Sequence, residues 1–81
     1  GFEEALGQRL IWMAGQGVQD ARIRVVPEHL GPIDIRIRMD GDSTQVVLAS
    51  PNPSSRDALE QALPRLREQL GPQTRLALER E

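Results

Sequence analysis

Val25-Val26-Pro27-Glu28-His29-Leu30-Gly31-Pro32-Ile33-Asp34-Ile35-Arg36-Ile37-Arg38 is the stretch on which the fold turns. It holds the end of one strand, a rigid corner and the strand that follows. Pro27 and Pro32 each fix φ and lack a donor, so neither fits inside a central strand. Gly31, between them, can take the positive φ that a tight corner often needs. Leu30 is the large apolar residue of the corner; it either tucks beneath the turn or stands out as a contact. Beyond Pro32, Ile33, Ile35, Ile37 and Met39 alternate with Asp34, Arg36, Arg38 and Asp40. That period of two predicts a strand with one buried and one charged face.

Upstream, Asp20 to Val26 reads as a first strand, with Ala21, Ile23 and Val25 facing one way and Arg22 and Arg24 the other. Phe2 to Ala14 reads as a helix. Phe2, Leu6, Leu10 and Met13 recur at spacings of three and four, with Ala5 and Ala14 alongside. Glu3 and Glu4 suit its first turn, and Gly15-Gln16-Gly17 stops it. Trp12 falls off that stripe; it either packs over a sheet edge, the plainer expectation, or meets a partner.

Downstream, Asp40-Gly41-Asp42-Ser43 predicts a hairpin turn. A calcium-loop reading of its carboxylates is set aside, because Pro51 stands where the bidentate Glu is required. Thr44 to Ala49 forms a third strand, whose Val46-Val47-Leu48-Ala49 is apolar on both sides, so it is expected to be central or covered twice. Ser54 is the expected N-cap of a second helix, with Asp57 completing a capping box. That helix runs from about Ser55 to Leu70, its stripe being Ala58, Leu59, Ala62, Leu63, Leu66 and Leu70. Pro64 lies inside it and predicts a kink. Thr74 to Leu78 is the last strand, pairing beside either the first or the third.

The expected fold is therefore α+β: a small two-layer domain in the order α-β-β-β-α-β. Both helices lie on one face of a four-stranded mixed sheet, with a right-handed crossover into the last strand. The 81 residues read as a single domain, 1–81, with Gly1 left aside as a possible cloning remnant. A core this small supports a stability on the order of 3–5 kcal/mol. No apolar run approaches the roughly 18 residues of a membrane span. The net charge is −2, from ten arginines and no lysine against twelve acids, and gives no prior for nucleic acid.

Little in the chain points to catalysis. His29 is the one histidine, cysteine is absent, and no serine carries a nucleophile's signature. Neither a glycine-rich phosphate loop nor a cluster of metal-ligand residues is present, so no enzyme, cofactor or small-molecule substrate is expected. Arg22, Arg24, Arg36 and Arg38 share the outward face of two pairing strands, and Arg75 can join them. They form either a solvated face relieved by Asp20 and Asp34 or a docking face for an acidic partner. A nucleic-acid module using this face is a distant alternative, since a sheet that reads single strands needs aromatic platforms.

Two stretches taken together carry a family resemblance. Pro27-x-x-Leu30-Gly31-Pro32-Ile33-x-Ile35 resembles a motif of the C-terminal domain of flagellar hook-length control proteins. Arg56-x-x-Leu59-x-x-x-Leu63-Pro64-x-Leu66-Arg67 is similar to that domain's helix, and Arg22-Ile23-Arg24-Val25 also fits. The similarity covers roughly Gln16 to Leu70; Gly71-Pro72-Gln73 is shorter than the family's usual approach to its last strand. The resemblance implies a type III export protein that is cytoplasmic before export and then secreted. It implies a domain that binds the cytoplasmic domain of the membrane export-gate switch protein, changing export from hook-type to filament-type substrates. Hook or hook-cap proteins would be met by a region outside this chain, and the domain itself is expected to be monomeric. A needle-length regulator of a virulence injectisome is the alternative. The contact residues implied are Pro27, Leu30, Gly31, Pro32, Ile33, Ile35 and Leu66. For Ile33, Ile35 and Leu66, plain core packing is the competing role.

Overall fold

The computed structural model describes residues 2–17 and 19–79. Among them are helix α1 (Phe2–Gly15), strands β1 (Asp20–Val25), β2 (Ile33–Asp40) and β3 (Ser43–Ala49), helix α2 (Pro53–Leu70) and strand β4 (Thr74–Leu78). The stripe positions Phe2, Leu6 and Ala14 and the first-turn Glu3 lie outside the described side chains.

The strands form one sheet in the order β1-β2-β3-β4. β1/β2 and β2/β3 are antiparallel, and β3/β4 is parallel. The last strand thus lies beside β3, which is central, and not beside β1. Its approach is fixed by the Thr44 amide donating to the Gln73 carbonyl at 3.1 Å and the Glu79 amide donating to the Leu48 carbonyl at 2.7 Å.

Alternation divides every strand into two rows. The inner rows contribute Ile33, Ile35, Ile37, Val46, Leu48 and Leu76 to one core, with Leu10 and Met13 from α1 and Leu59, Ala62, Leu63, Leu66 and Leu70 from α2. Both helices therefore cover the same face, and the opposite face is bare. Only Leu10 and Met13 among the described α1 side chains are core residues, while Ala5 is exposed. Trp12 and Ile11 are 64% and 54% exposed, so the expectation that Trp12 packs over a sheet edge is overturned. The reason is phase: Leu10 and Met13 take the inner face, and Trp12 points away from it.

The hairpin turn forms as read, with Asp40 opposite Ser43 and Gly41 at φ 60°. A positive φ at the first central position is what a type II′ turn demands. The second helix begins two residues earlier than expected, and its cap is Asn52 rather than Ser54. Asn52 Oδ1 accepts from the Ser54 amide at 3.0 Å, and the Asn52 carbonyl accepts from the Arg56 amide at 3.0 Å. Pro53 then occupies the first helical position, where its fixed φ suits the helix and its missing donor costs nothing. Ser54 and Asp57 are thereby placed inside the helix. α2 is one helix through Pro64, which is exposed, as is Glu60. The carbonyl deprived of its donor thus sits on the solvent side. Gly71, at φ 88°, ends the helix with its amide on the Arg67 carbonyl at 3.0 Å.

Candidate functional site: a braced corner and an arginine face

Between β1 and β2 the chain reverses over Val26 to Pro32. The Pro27 carbonyl accepts from the amides of both Leu30 and Gly31, each at 3.3 Å. Two residues there hold positive φ: Gly31, as the sequence suggested, and His29, each at 75°. His29 occupies the third position of the Pro27–Leu30 turn, where a type II geometry requires that sign. A left-handed conformation is costly for a residue with a Cβ, although histidine tolerates it better than most.

The corner is also tied to α2. Ser55 Oγ, on a residue only 2% exposed, donates to the Leu30 carbonyl. Leu30 itself is half-buried: it packs against the core and keeps part of its surface open at the corner. Pro27, Gly31 and Pro32 are half-buried, whereas Glu28 and His29 are exposed. Ile33, Ile35 and Leu66 are 0–1% exposed and offer no surface to a partner while the domain is folded. All three belong to the one hydrophobic core.

Arg22, Arg24, Arg36 and Arg38 are all exposed on the bare outer face, and Arg75 joins them from β4. Only one of the four is visibly paired among the described residues. Arg24 lies opposite Asp34 and grips it with two bonds, Nε to Oδ1 at 2.8 Å and Nη2 to Oδ2 at 3.3 Å. That side-chain hydrogen bond is the main reason the Asp34 carboxyl is held below the usual carboxylate range. Arg22 faces Arg36 directly across the strands, while Arg38 faces Asp20. A shallow depression of about 730 Å³ lies here, with Arg22, Arg24, Arg36, Val47 and Glu79 on its lining.

Comparison with known proteins matches residues 7–75 to the family described as flagellar hook-length control protein FliK. The chain belongs to the flagellar hook-length control family. A relative from Escherichia coli (strain K12), a flagellar hook-length control protein, is 38% identical over 69 residues. The match covers 85% of this chain and 18% of that relative, so the chain spans under a fifth of the relative's length. Among solved structures, the PscP SS domain superposes with a TM-score of 0.79 at 18% identity, over 98% of this chain and 93% of that one. This likeness shows a shared fold. The family is described by hook-length control, not by a catalytic activity.

Sequence reasoning overlooked Ser55, Asn52 and the left-handed His29. A signal for Ser55 was available: it stands one turn before Leu59, in phase with Leu59, Ala62, Leu66 and Leu70. A serine on an apolar stripe is placed to be buried, and a buried hydroxyl requires a partner.

Proposed function

We propose that this domain is the specificity-switching module of a flagellar type III export system. It binds the cytoplasmic domain of the membrane export-gate switch protein and turns export from hook-type to filament-type substrates. Family membership supports the setting, and the flagellar reading is favoured over the injectisome one by the 38% identity to a flagellar relative. In this reading residues 1–81 act as one module, cytoplasmic until it is exported, while hook and hook-cap proteins meet other parts of the full-length protein.

The observation that carries the reading is the corner. It is rigid, with two prolines, a doubly accepted carbonyl and a buried serine brace. Its exposed tip and half-buried flank present Pro27, Leu30, Gly31 and Pro32 in a fixed shape. A preformed loop loses little conformational entropy on binding, which favours it as a recognition element. Ile33, Ile35 and Leu66 act in this reading through the core that holds the domain together.

The test is a pull-down against the gate protein's cytoplasmic domain, paired with thermal unfolding. Leu30→Ala should lose binding with most of its unfolding temperature retained. Ile33→Ala should lose both, because its side chain is wholly buried. Full binding by a folded Leu30→Ala variant would refute the corner as the contact.

A further inference from the structure

β1 is an edge strand, and the structure fixes which of its residues face outward. The Met39 amide donates to the Gln19 carbonyl at 2.8 Å, so Gln19 and Met39 form a hydrogen-bonded pair. In an antiparallel ladder such pairs alternate with non-bonded ones. With Asp20 opposite Arg38 and Arg22 opposite Arg36, the amides and carbonyls of Asp20, Arg22 and Arg24 point away from the sheet. They form an open row of donors and acceptors.

Two further features distinguish this edge. On the inner side, Ala21, Ile23 and Val25 are only half-buried, whereas their partners Ile37, Ile35 and Ile33 are 0–2% exposed. The helices cover β2 fully and leave the apolar row of β1 partly open. On the outer side, Arg22 stands opposite Arg36, and like charges directly across a strand pair are unfavourable. Among the described residues neither has an ion-pair partner.

We propose that β1 accepts an added strand from a protein partner: an extended segment in which apolar and acidic residues alternate. Its backbone completes the outward row at Asp20, Arg22 and Arg24. Its apolar side chains extend the row of Ala21, Ile23 and Val25 under the edge of the helices. Its carboxylates fall beside Arg22 and relieve the opposition between Arg22 and Arg36, since guanidinium forks match carboxylates. Main-chain bonds supply affinity, and the two faces supply register, because a slip of one residue sets acids against the apolar row. This surface is distinct from the corner, and its test uses a synthetic peptide, so it stands or falls apart from the function proposed above.

The experiment titrates the isotopically labelled 81-residue chain with a blocked decapeptide alternating valine and glutamate, following amide shifts and hydrogen exchange. Slowed exchange at Asp20, Arg22 and Arg24 is the expected result, with no such effect from a valine–lysine peptide. Arg22→Glu should weaken binding of the glutamate peptide by roughly tenfold and let the lysine peptide bind instead. Its melting temperature checks that the fold survives. Equal binding of both peptides, or no protection of these three amides, would overturn the proposal. In that case the arginines serve only to guard an edge against aggregation. Protection of the same amides without peptide, in a chain that sediments as a dimer, would place a second copy there and also overturn it.

Discussion

Ser55→Ala removes one oxygen atom and tests the brace directly. The hydroxyl is almost wholly buried and is the partner of the Leu30 carbonyl. Leaving such an acceptor unmet costs about 1–3 kcal/mol. Alanine returns a few tenths to about 0.5 kcal/mol through better helix propensity. Leu30 is only half-buried, so water can reach part of the exposed carbonyl, and the lower half of the range applies. The expected net loss is about 1 kcal/mol, against a total on the order of 3–5 kcal/mol for a domain this small. In thermal unfolding a loss of that size lowers the midpoint by about 4–8 °C. Urea unfolding should show a lower midpoint with an unchanged slope. Hydrogen exchange should quicken most at the Leu30 and Gly31 amides, the two that close the turn on Pro27. An unchanged melting midpoint, or a loss of stability without faster exchange at those amides, would refute the idea that Ser55 holds the corner.

Leu66→Ala deletes a fully buried side chain and should cost about 2–5 kcal/mol, most of what such a domain possesses; a cooperative melt near the original temperature would contradict that. Asp34→Asn tests the grip of Arg24. Because the folded carboxyl titrates below the unfolded one, the pair's contribution is complete above about pH 4 and is lost as pH falls through the depressed folded value. The variant should therefore melt below the original chain at neutral pH and converge with it in strong acid; a gap independent of pH would rule this out. His29→Asn should be nearly neutral, whereas His29→Val should cost about 1–2 kcal/mol, because a β-branched residue resists the left-handed conformation. Equal melting temperatures for the two would argue against a strained His29.

The elements that alternate or repeat cleanly were the legible ones. Ile33 to Met39 announced a half-buried strand, and Leu59, Ala62, Leu63, Leu66 and Leu70 announced the inner face of α2. The family resemblance was likewise legible, because two spaced motifs had to agree. What escaped the sequence depended on competition between neighbours. Asn52, Ser54 and Ser55 are all capable caps, and Pro53 decided among them by taking the first helical position. Trp12 misled because aromatic bulk favours burial, yet the phase set by Leu10 and Met13 leaves it outside. The pairing of β4 could not be read because both edges of a three-stranded meander offer the same backbone groups. Where Leu30 goes was open for a similar reason, since its carbonyl is met by a serine twenty-five residues away.

α2 touches both remote parts of the molecule. Near its start Ser55 holds the corner, and near its end Arg67 reaches the Leu76 carbonyl at 3.5 Å while Thr74 Oγ1 donates to the Leu70 carbonyl at 3.3 Å. Eighteen residues make a rod of about 27 Å, comparable with the molecule's longest dimension of 34 Å. Such a strut spans nearly the whole molecule, so the proline bend and the terminal ribbon are both moored to a single girder.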